Sequence, residues 1–74
     1  MSSVERSSVG KPTAKSAHTR QLLLDTAMGL FATKGFAGTT MRSIAQESGL
    51  SLGNAYYYFD SKDAIVHELF RQLL

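Results

Sequence analysis

The chain has 74 residues, of which 43% are hydrophobic and 19% charged, and it contains no cysteine. That length allows one small domain with a thin core, and the lack of cysteine excludes disulfides and thiolate metal sites. The formal net charge of +2 lies in residues 1–19, because basic and acidic residues cancel over residues 20–74. Bulk charge therefore does not argue for a nucleic-acid partner, and only particular positions can indicate one.

Residues 1–19 are rich in serine and threonine, contain Gly10 and Pro12, and follow neither the helical nor the strand period. We predict that they form a disordered basic arm, which is either inert or attracts phosphates non-specifically. The arm lacks the apolar run of a secretory signal, and the chain lacks the roughly 18 consecutive apolar residues of a membrane span. These features predict a cytoplasmic protein that does not enter a membrane.

The first predicted helix begins at Arg20, with Thr19 as its N-cap and Lys34-Gly35 as its stop signal. Its apolar residues recur at the spacing of an amphipathic helix. The stripe consists of Leu23, Ala27, Leu30 and Phe31, flanked by Leu24 and Met28.

Two short helices follow. Thr39 or Thr40 caps the second helix, and Gly49 ends it. Its apolar face carries Met41, Ile44, Ala45 and Ser48. Ser51 caps the third helix, Leu52–Tyr58, and within the aromatic run we expect Tyr58 and Phe59 to reach the core.

The fourth helix starts at Lys62, after the N-cap Ser61 and with Asp63 in its first turn. A broad apolar face continues to the last residue without a stop signal, so we expect the chain to be the front part of a longer protein. That face consists of Ile65, Val66, Leu69, Phe70, Leu73 and Leu74. No strand pattern is present, and the predicted fold class is all-α.

The second and third helices together have the pattern of a helix-turn-helix. Ala45 is the small residue that the helix crossing needs, and Gly49 tolerates the positive φ of the tight turn. Ile44 and Leu50 are the apolar anchors on the two sides, with Ala55 facing back from the third helix. An ordinary helical hairpin remains the alternative interpretation.

The residue types around this motif suit DNA. On the third helix, Gly53 permits close approach, Asn54 can bond a base edge, and an aromatic ring can touch a thymine methyl. The Tyr57 hydroxyl and Lys62 suit phosphates. The predicted DNA-binding set is Thr40, Arg42, Leu52, Gly53, Asn54, Tyr56, Tyr57 and Lys62. Arg42 and Lys62 could equally be solvated surface residues.

The stretch from Gly38 to Ile65 resembles the DNA-binding domain of the tetracycline-repressor (TetR) family. The Ile44-Ala45…Gly49 pattern is followed at the family spacing by Tyr56-x-Tyr58-Phe59-x-Ser61-Lys62, and residues 27–36 resemble that family's first helix and its exit. The similarity covers residues 20–74, with the motif over about 40–59. The sequence departs from the family pattern at three positions. Ser43 stands where an acidic residue is frequent, Leu52 where a polar or basic residue is frequent, and Ala55 where leucine is frequent.

The resemblance implies a homeodomain-like three-helix bundle plus the start of a fourth, linking helix. It also implies a homodimer in the full-length protein, a double-stranded palindromic operator, and a small-molecule effector bound by a C-terminal domain that the 74 residues lack. Thr40 and Arg42 then lie at the start of the second helix, and Lys62 takes a phosphate-contacting position. The function implied is that of a transcriptional regulator, most often a repressor.

The sequence also bears on two other classes of function. Catalysis is disfavoured, because His18 and His67 have no second ligand at metal spacing and no nucleophile–base pair or phosphate loop is present. We expect no cofactor and no metal. The remaining alternative is a helical protein-interaction module that uses the apolar face of the fourth helix.

Overall fold

The computed structural model describes residues 14–74, which form four α-helices and contain no strand within that range. Helix α1 spans Ala14–Lys34, α2 spans Met41–Ser48, α3 spans Leu52–Tyr58 and α4 spans Lys62–Leu73. Helix α1 packs against both α2 and α4, and α2 packs against α3. The all-α prediction is confirmed. None of these helices is both long and apolar enough to cross a membrane.

One small core joins the four helices. Three of its residues come from α1, three from α2, and the remaining three from α3, its C-cap and α4. They are Leu23, Leu24, Ala27, Met41, Ile44, Ala45, Ala55, Phe59 and Ile65. The predicted apolar stripes of α1 and α2 therefore do supply the core, except that Met28 is exposed and Leu30, Phe31 and Ser48 are half-buried.

Helix α1 begins earlier than predicted. It starts at Ala14, so the start at Arg20 and the Thr19 cap are both wrong, and the Thr19 hydroxyl instead donates to the Lys15 carbonyl oxygen at 3.0 Å. Residues 14–19 include good helix formers but no apolar stripe, so they extend a helix without showing its period. Of the predicted arm, residues 14–19 are helical and residues 1–13 lie outside the described residues.

Apart from the start of α1, the helix boundaries follow the predicted signals. Gly35 ends α1 with φ +79°. Gly49 ends α2 with φ +75°, and the Leu50 N–H donates to the Ala45 carbonyl oxygen at 2.9 Å. This bond pattern is the Schellman motif, which needs a left-handed residue. Ser51 caps α3 and Ser61 caps α4, each through its side-chain oxygen.

Candidate nucleic-acid interface

The N-terminus of α2 is built by a reciprocal cap. The Thr40 hydroxyl accepts from the Ser43 N–H at 3.0 Å, and the Ser43 hydroxyl oxygen accepts from the Thr40 N–H at 2.9 Å. Thr40 is therefore the N-cap, whereas Thr39 is fully buried and its hydroxyl donates to the Gly35 carbonyl oxygen at 2.8 Å. The two threonines that sequence could not separate thus have different roles.

Arg42 follows this cap directly and is exposed. Within residues 14–74 its guanidinium forms no ion pair and no hydrogen bond. The first turn of α2 reads Met41-Arg42-Ser43, so the positive end of the helix dipole is not neutralised by a carboxylate. An unpaired guanidinium beside an uncompensated helix N-terminus favours an anion such as phosphate.

Helix α3 presents a polar and aromatic surface because Ala55 alone is fully buried among its residues. Successive helical residues are rotated by about 100°, so positions two before and two after Ala55 lie on the opposite side. Those positions are Gly53 and Tyr57, and Tyr57 is 79% exposed. Asn54 and Tyr56 flank them and are also exposed. These four residues form a continuous outward arc along the helix.

Leu52 does not belong to this arc. It lies three positions before Ala55, which turns it toward the same side of the helix, and it is half-buried against the core. The prediction that Leu52 lies on the exposed face is wrong for this physical reason. Tyr58 lies three positions after Ala55, and it is likewise half-buried, while Phe59 is buried as predicted.

Lys62 stands at the start of α4 and already has a partner within the chain. Its ammonium donates to the Phe36 carbonyl oxygen at 2.7 Å and lies 4.2 Å from the centroid of the Phe36 ring. The structure therefore brings Lys62 to the connection between α1 and α2, at Phe36, which is four positions before Thr40 in the chain. It does not leave the side chain as a free surface lysine.

The end of α3 is supported by a contact that sequence reasoning missed. The Arg20 guanidinium lies 4.9 Å from the centroid of the Phe59 ring and 3.4 Å from the Glu68 carboxylate, which Arg71 also approaches at 3.1 Å. Cation–π and ion-pair contacts thus join α1, α4 and the residue that ends α3. Arg20 is 39 positions from Phe59 and 48 positions from Glu68 in the chain, so no local sequence pattern predicts these contacts.

The described residues hold no group of three or more histidine, cysteine or carboxylate side chains that could bind a metal ion. Exposed polar and aromatic residues of the two short helices lie along the arc of α3 and at the N-terminus of α2. Two short helices that pack against each other, joined by the Gly49 turn and with the second helix exposed on its outer side, define a helix-turn-helix DNA-binding domain.

Comparison with known proteins places this domain in a family. The profile described as bacterial regulatory proteins, tetR family, matches residues 23–69. The chain therefore belongs to the tetR family of bacterial transcriptional regulators, as the resemblance in the sequence implied. A crystal structure of a tetR family transcription regulator from Shewanella sp. PV-4 has a TM-score of 0.67 and 38% identity, covering 70% of this chain and 28% of that one.

Curated relatives carry related names. The HTH-type transcriptional repressor KstR2 of Rhodococcus jostii (strain RHA1) is 46% identical over 55 residues, which cover 74% of this chain and 27% of the relative. The HTH-type transcriptional regulator RutR of Escherichia coli (strain K12) is 35% identical over 65 residues, which cover 88% and 31%. The chain thus spans about a third or less of the length of these relatives.

Proposed function

We propose that this chain is the DNA-reading part of a sequence-specific transcriptional repressor that inserts α3 into the major groove. The observation that carries the proposal is the outward arc Gly53, Asn54, Tyr56 and Tyr57, which is held in place from behind by the buried Ala55. Membership of the family supports DNA binding in general. The exposed arc supports the narrower proposal that α3 is the helix that contacts the bases.

Each residue of the arc has a proposed role. Asn54 and Tyr56 read bases, through an amide that can bond an adenine edge and a ring that can touch a thymine methyl. Gly53 lets the helix approach the groove closely, and the Tyr57 hydroxyl donates to a phosphate. Thr40 and Arg42, from the start of α2, bind the phosphates beside the groove. Leu52 supports the helix from the core side.

Dimerisation and ligand response belong to the same proposal. We infer that two copies place their α3 helices in successive major grooves of a palindromic operator, about 34–36 Å apart. An effector bound elsewhere in the dimer would change the spacing of the two domains and so release the operator. Relatives of this chain are named transcriptional repressors, which supports repression rather than activation as its effect on transcription. A regulator of this kind performs no chemical reaction.

The end of α4 favours a protein contact as well. Phe70 and Leu73 are 62% and 79% exposed, which is unusual for large apolar side chains on neighbouring turns. We propose that this surface packs against protein in the dimer. Protein contact through α4, which the sequence offers as an alternative function, is then compatible with DNA binding through α3 in the same molecule.

The test is a binding titration of a labelled mixed-sequence duplex of about 20 base pairs, roughly two helical turns, at several salt concentrations. Phosphate binding predicts that log K falls linearly with log salt, with a slope of about −0.9 for each phosphate neutralised. Arg42→Ala should flatten that slope by about one unit. Gln46→Ala, an exposed and uncharged position on the same helix, is the matched control. Binding that does not respond to salt would contradict the proposal.

A further inference from the structure

Phe36, in the connection between α1 and α2, is a large apolar residue whose surface is 42% exposed. We propose that Phe36 is a positioning residue for DNA binding, which holds the Lys62 ammonium in place for a phosphate of the duplex. The inference rests on the proposed DNA-binding function and on the phosphate contact that the family resemblance implies for Lys62. It concerns how that lysine is ordered before DNA arrives.

Two groups of Phe36 hold the ammonium. The Lys62 Nζ donates to the Phe36 carbonyl oxygen at 2.7 Å and lies 4.2 Å from the centroid of the Phe36 ring. A cation within about 6 Å of a ring centroid is attracted by the negative face of the ring. An ammonium has three N–H donors, and the carbonyl takes one of them. A phosphate oxygen can therefore accept from another donor while both contacts with Phe36 persist.

The two groups that hold the lysine are themselves fixed to the helical bundle. The centroid of the Phe36 ring lies 5.4 Å from that of Phe31 on α1. The Phe36 carbonyl oxygen also accepts a hydrogen bond from the Thr39 N–H at 3.2 Å. Thr39 is fully buried, and its hydroxyl donates to the Gly35 carbonyl oxygen at 2.8 Å. Phe36 is therefore anchored by its side chain and by its backbone.

The groups that hold the ammonium do not neutralise its charge. The ion pairs found among residues 14–74 both involve Glu68, and neither involves Lys62. Asp60 and Asp63 are close to the lysine in sequence, but neither lies within ion-pair distance of it. A carboxylate would hold the ammonium and cancel its charge, whereas a carbonyl and an aromatic ring carry no net charge. Lys62 is thus ordered and still attracts an anion.

The held ammonium lies beside the start of α2. It shares the Phe36 carbonyl oxygen with the N–H of Thr39, and the next residue, Thr40, is the N-cap of α2. A lysine in the first turn of α4 is disfavoured by the dipole of its own helix, so this position does not serve the stability of α4. The side chain instead adds positive charge where Thr40 and Arg42 are proposed to bind phosphates.

The expected effect of Phe36 on affinity follows from the entropy of the lysine side chain. Immobilising a long side chain opposes association, and contact with Phe36 orders this one before DNA binds. We expect Phe36→Leu, which removes the ring, to weaken duplex binding about 2- to 10-fold with the wild-type salt slope. Phe36→Tyr keeps an aromatic face, and it should bind within about twofold of the wild type.

The experiment is a double-mutant cycle on the whole 74-residue chain, measured by salt titration of the same mixed-sequence duplex. Phe36→Leu should weaken binding of the wild type and should have no further effect in the Lys62→Met chain, because Phe36 acts through the lysine. An equal loss in both backgrounds would overturn the inference, since a merely structural phenylalanine matters with or without the lysine. Unchanged affinity in Phe36→Leu, or the same loss in Phe36→Tyr, would overturn it as well.

The lysine variant separates this inference from the function on which it rests. Lys62→Met should flatten the salt slope by about one unit, because it removes a phosphate contact. A wild-type slope in Lys62→Met would overturn the inference and leave DNA binding by the rest of the surface intact. A wild-type chain that shows no salt-dependent binding would contradict the proposed function itself.

A spectroscopic measurement on the wild-type chain tests the inference even if the variants fold poorly. Protons above the face of an aromatic ring are shielded by its ring current. We therefore expect the NMR signals of the Lys62 ε-methylene protons to lie upfield of those of Lys15 and Lys34. They should stay upfield when the duplex is added at low salt. Signals at the ordinary lysine position, with or without DNA, would show that Phe36 does not hold the ammonium during binding.

Discussion

The hydroxyl groups of Thr40 and Ser43 each accept a hydrogen bond from the other residue's backbone N–H, at 3.0 and 2.9 Å. This capping box usually has a glutamate or glutamine at its third position. Here a serine completes it, and its hydroxyl also donates to the Thr40 carbonyl oxygen at 2.8 Å. The helix is capped without a carboxylate, so its N-terminus keeps its attraction for an anion.

The capping pair gives the first prediction. Thr40→Ala and Ser43→Ala should each lower the free energy of unfolding by about 1 kcal/mol, because each leaves a helix N–H without its cap. Only Thr40→Ala should also weaken duplex binding, since it removes a hydroxyl proposed to touch a phosphate. Urea denaturation and duplex titration of the two variants check this. An equal loss of affinity in both would remove the direct role of Thr40.

Gly53 gives the second prediction. It lies within the first turn of α3, and an added Cβ would meet no atom within 4 Å among residues 14–74, its own stretch of helix aside. Alanine is preferred to glycine in a helix by about 0.8–1 kcal/mol, so the fold does not need this glycine. We expect Gly53→Ala to stabilise the domain and to weaken DNA binding.

Gly29 is the matched control for that change. It lies inside α1, is exposed, and has the same open space around it. Gly29→Ala should raise the melting temperature by a similar amount and leave duplex affinity unchanged. If both variants bind DNA as the wild type does, Gly53 has no part in close approach to the groove.

The third prediction separates base reading from phosphate binding on α3. Asn54→Ala or Tyr56→Ala should reduce discrimination between sequences, because a good base contact contributes about 1–3 kcal/mol. Tyr57→Phe should weaken all sequences alike, since it removes only a hydroxyl aimed at phosphate. Selection from a random duplex library, followed by titration of the best and the average sequence, measures both effects. Discrimination that survives Asn54→Ala and Tyr56→Ala would contradict this assignment of roles.

The fourth prediction concerns the turn between α2 and α3. Gly49 has φ +75°, a region that costs a β-branched residue roughly 1–3 kcal/mol. In a domain with so small a core, Gly49→Val should lower the melting temperature and the helical signal without selectively altering sequence preference. Circular dichroism on Gly49→Val, with Gly29→Ala beside it, measures this. A melting temperature equal to that of the wild type would show that the turn tolerates other conformations.

Most of the fold could be predicted because its signals are local. Ser51 and Ser61 begin helices, and Gly35 and Gly49 end them, each through bonds to residues within five positions. The period of α1 and α2 likewise identified the core, since burial on a helix follows from spacing. The start of α1 could not be predicted in this way, because residues 14–19 are helical without being amphipathic.

The parts of the site that depend on distant contacts could not be predicted. Residue type and the family resemblance both make Lys62 a candidate phosphate ligand, whereas the contact of its ammonium with Phe36 is visible only in the fold. The support of Phe59 by Arg20 joins residues far apart in sequence. The side on which Leu52 lies could not be predicted, because its exposure depends on how α3 is rotated about its axis. The burial of Ala55 fixes that rotation.

The central claim is that α3 and the α2 N-terminus form one DNA-binding surface. The most direct test is a 15N–1H NMR titration of the chain with a mixed-sequence duplex at low and moderate salt, which detects weak binding and locates it. We predict salt-sensitive shifts on Thr40, Arg42 and residues 53–57, with little change along the exposed side of α4 at Phe70 and Leu73. A folded spectrum without shifts, or with shifts confined to α4 or to residues before α1, would contradict the claim.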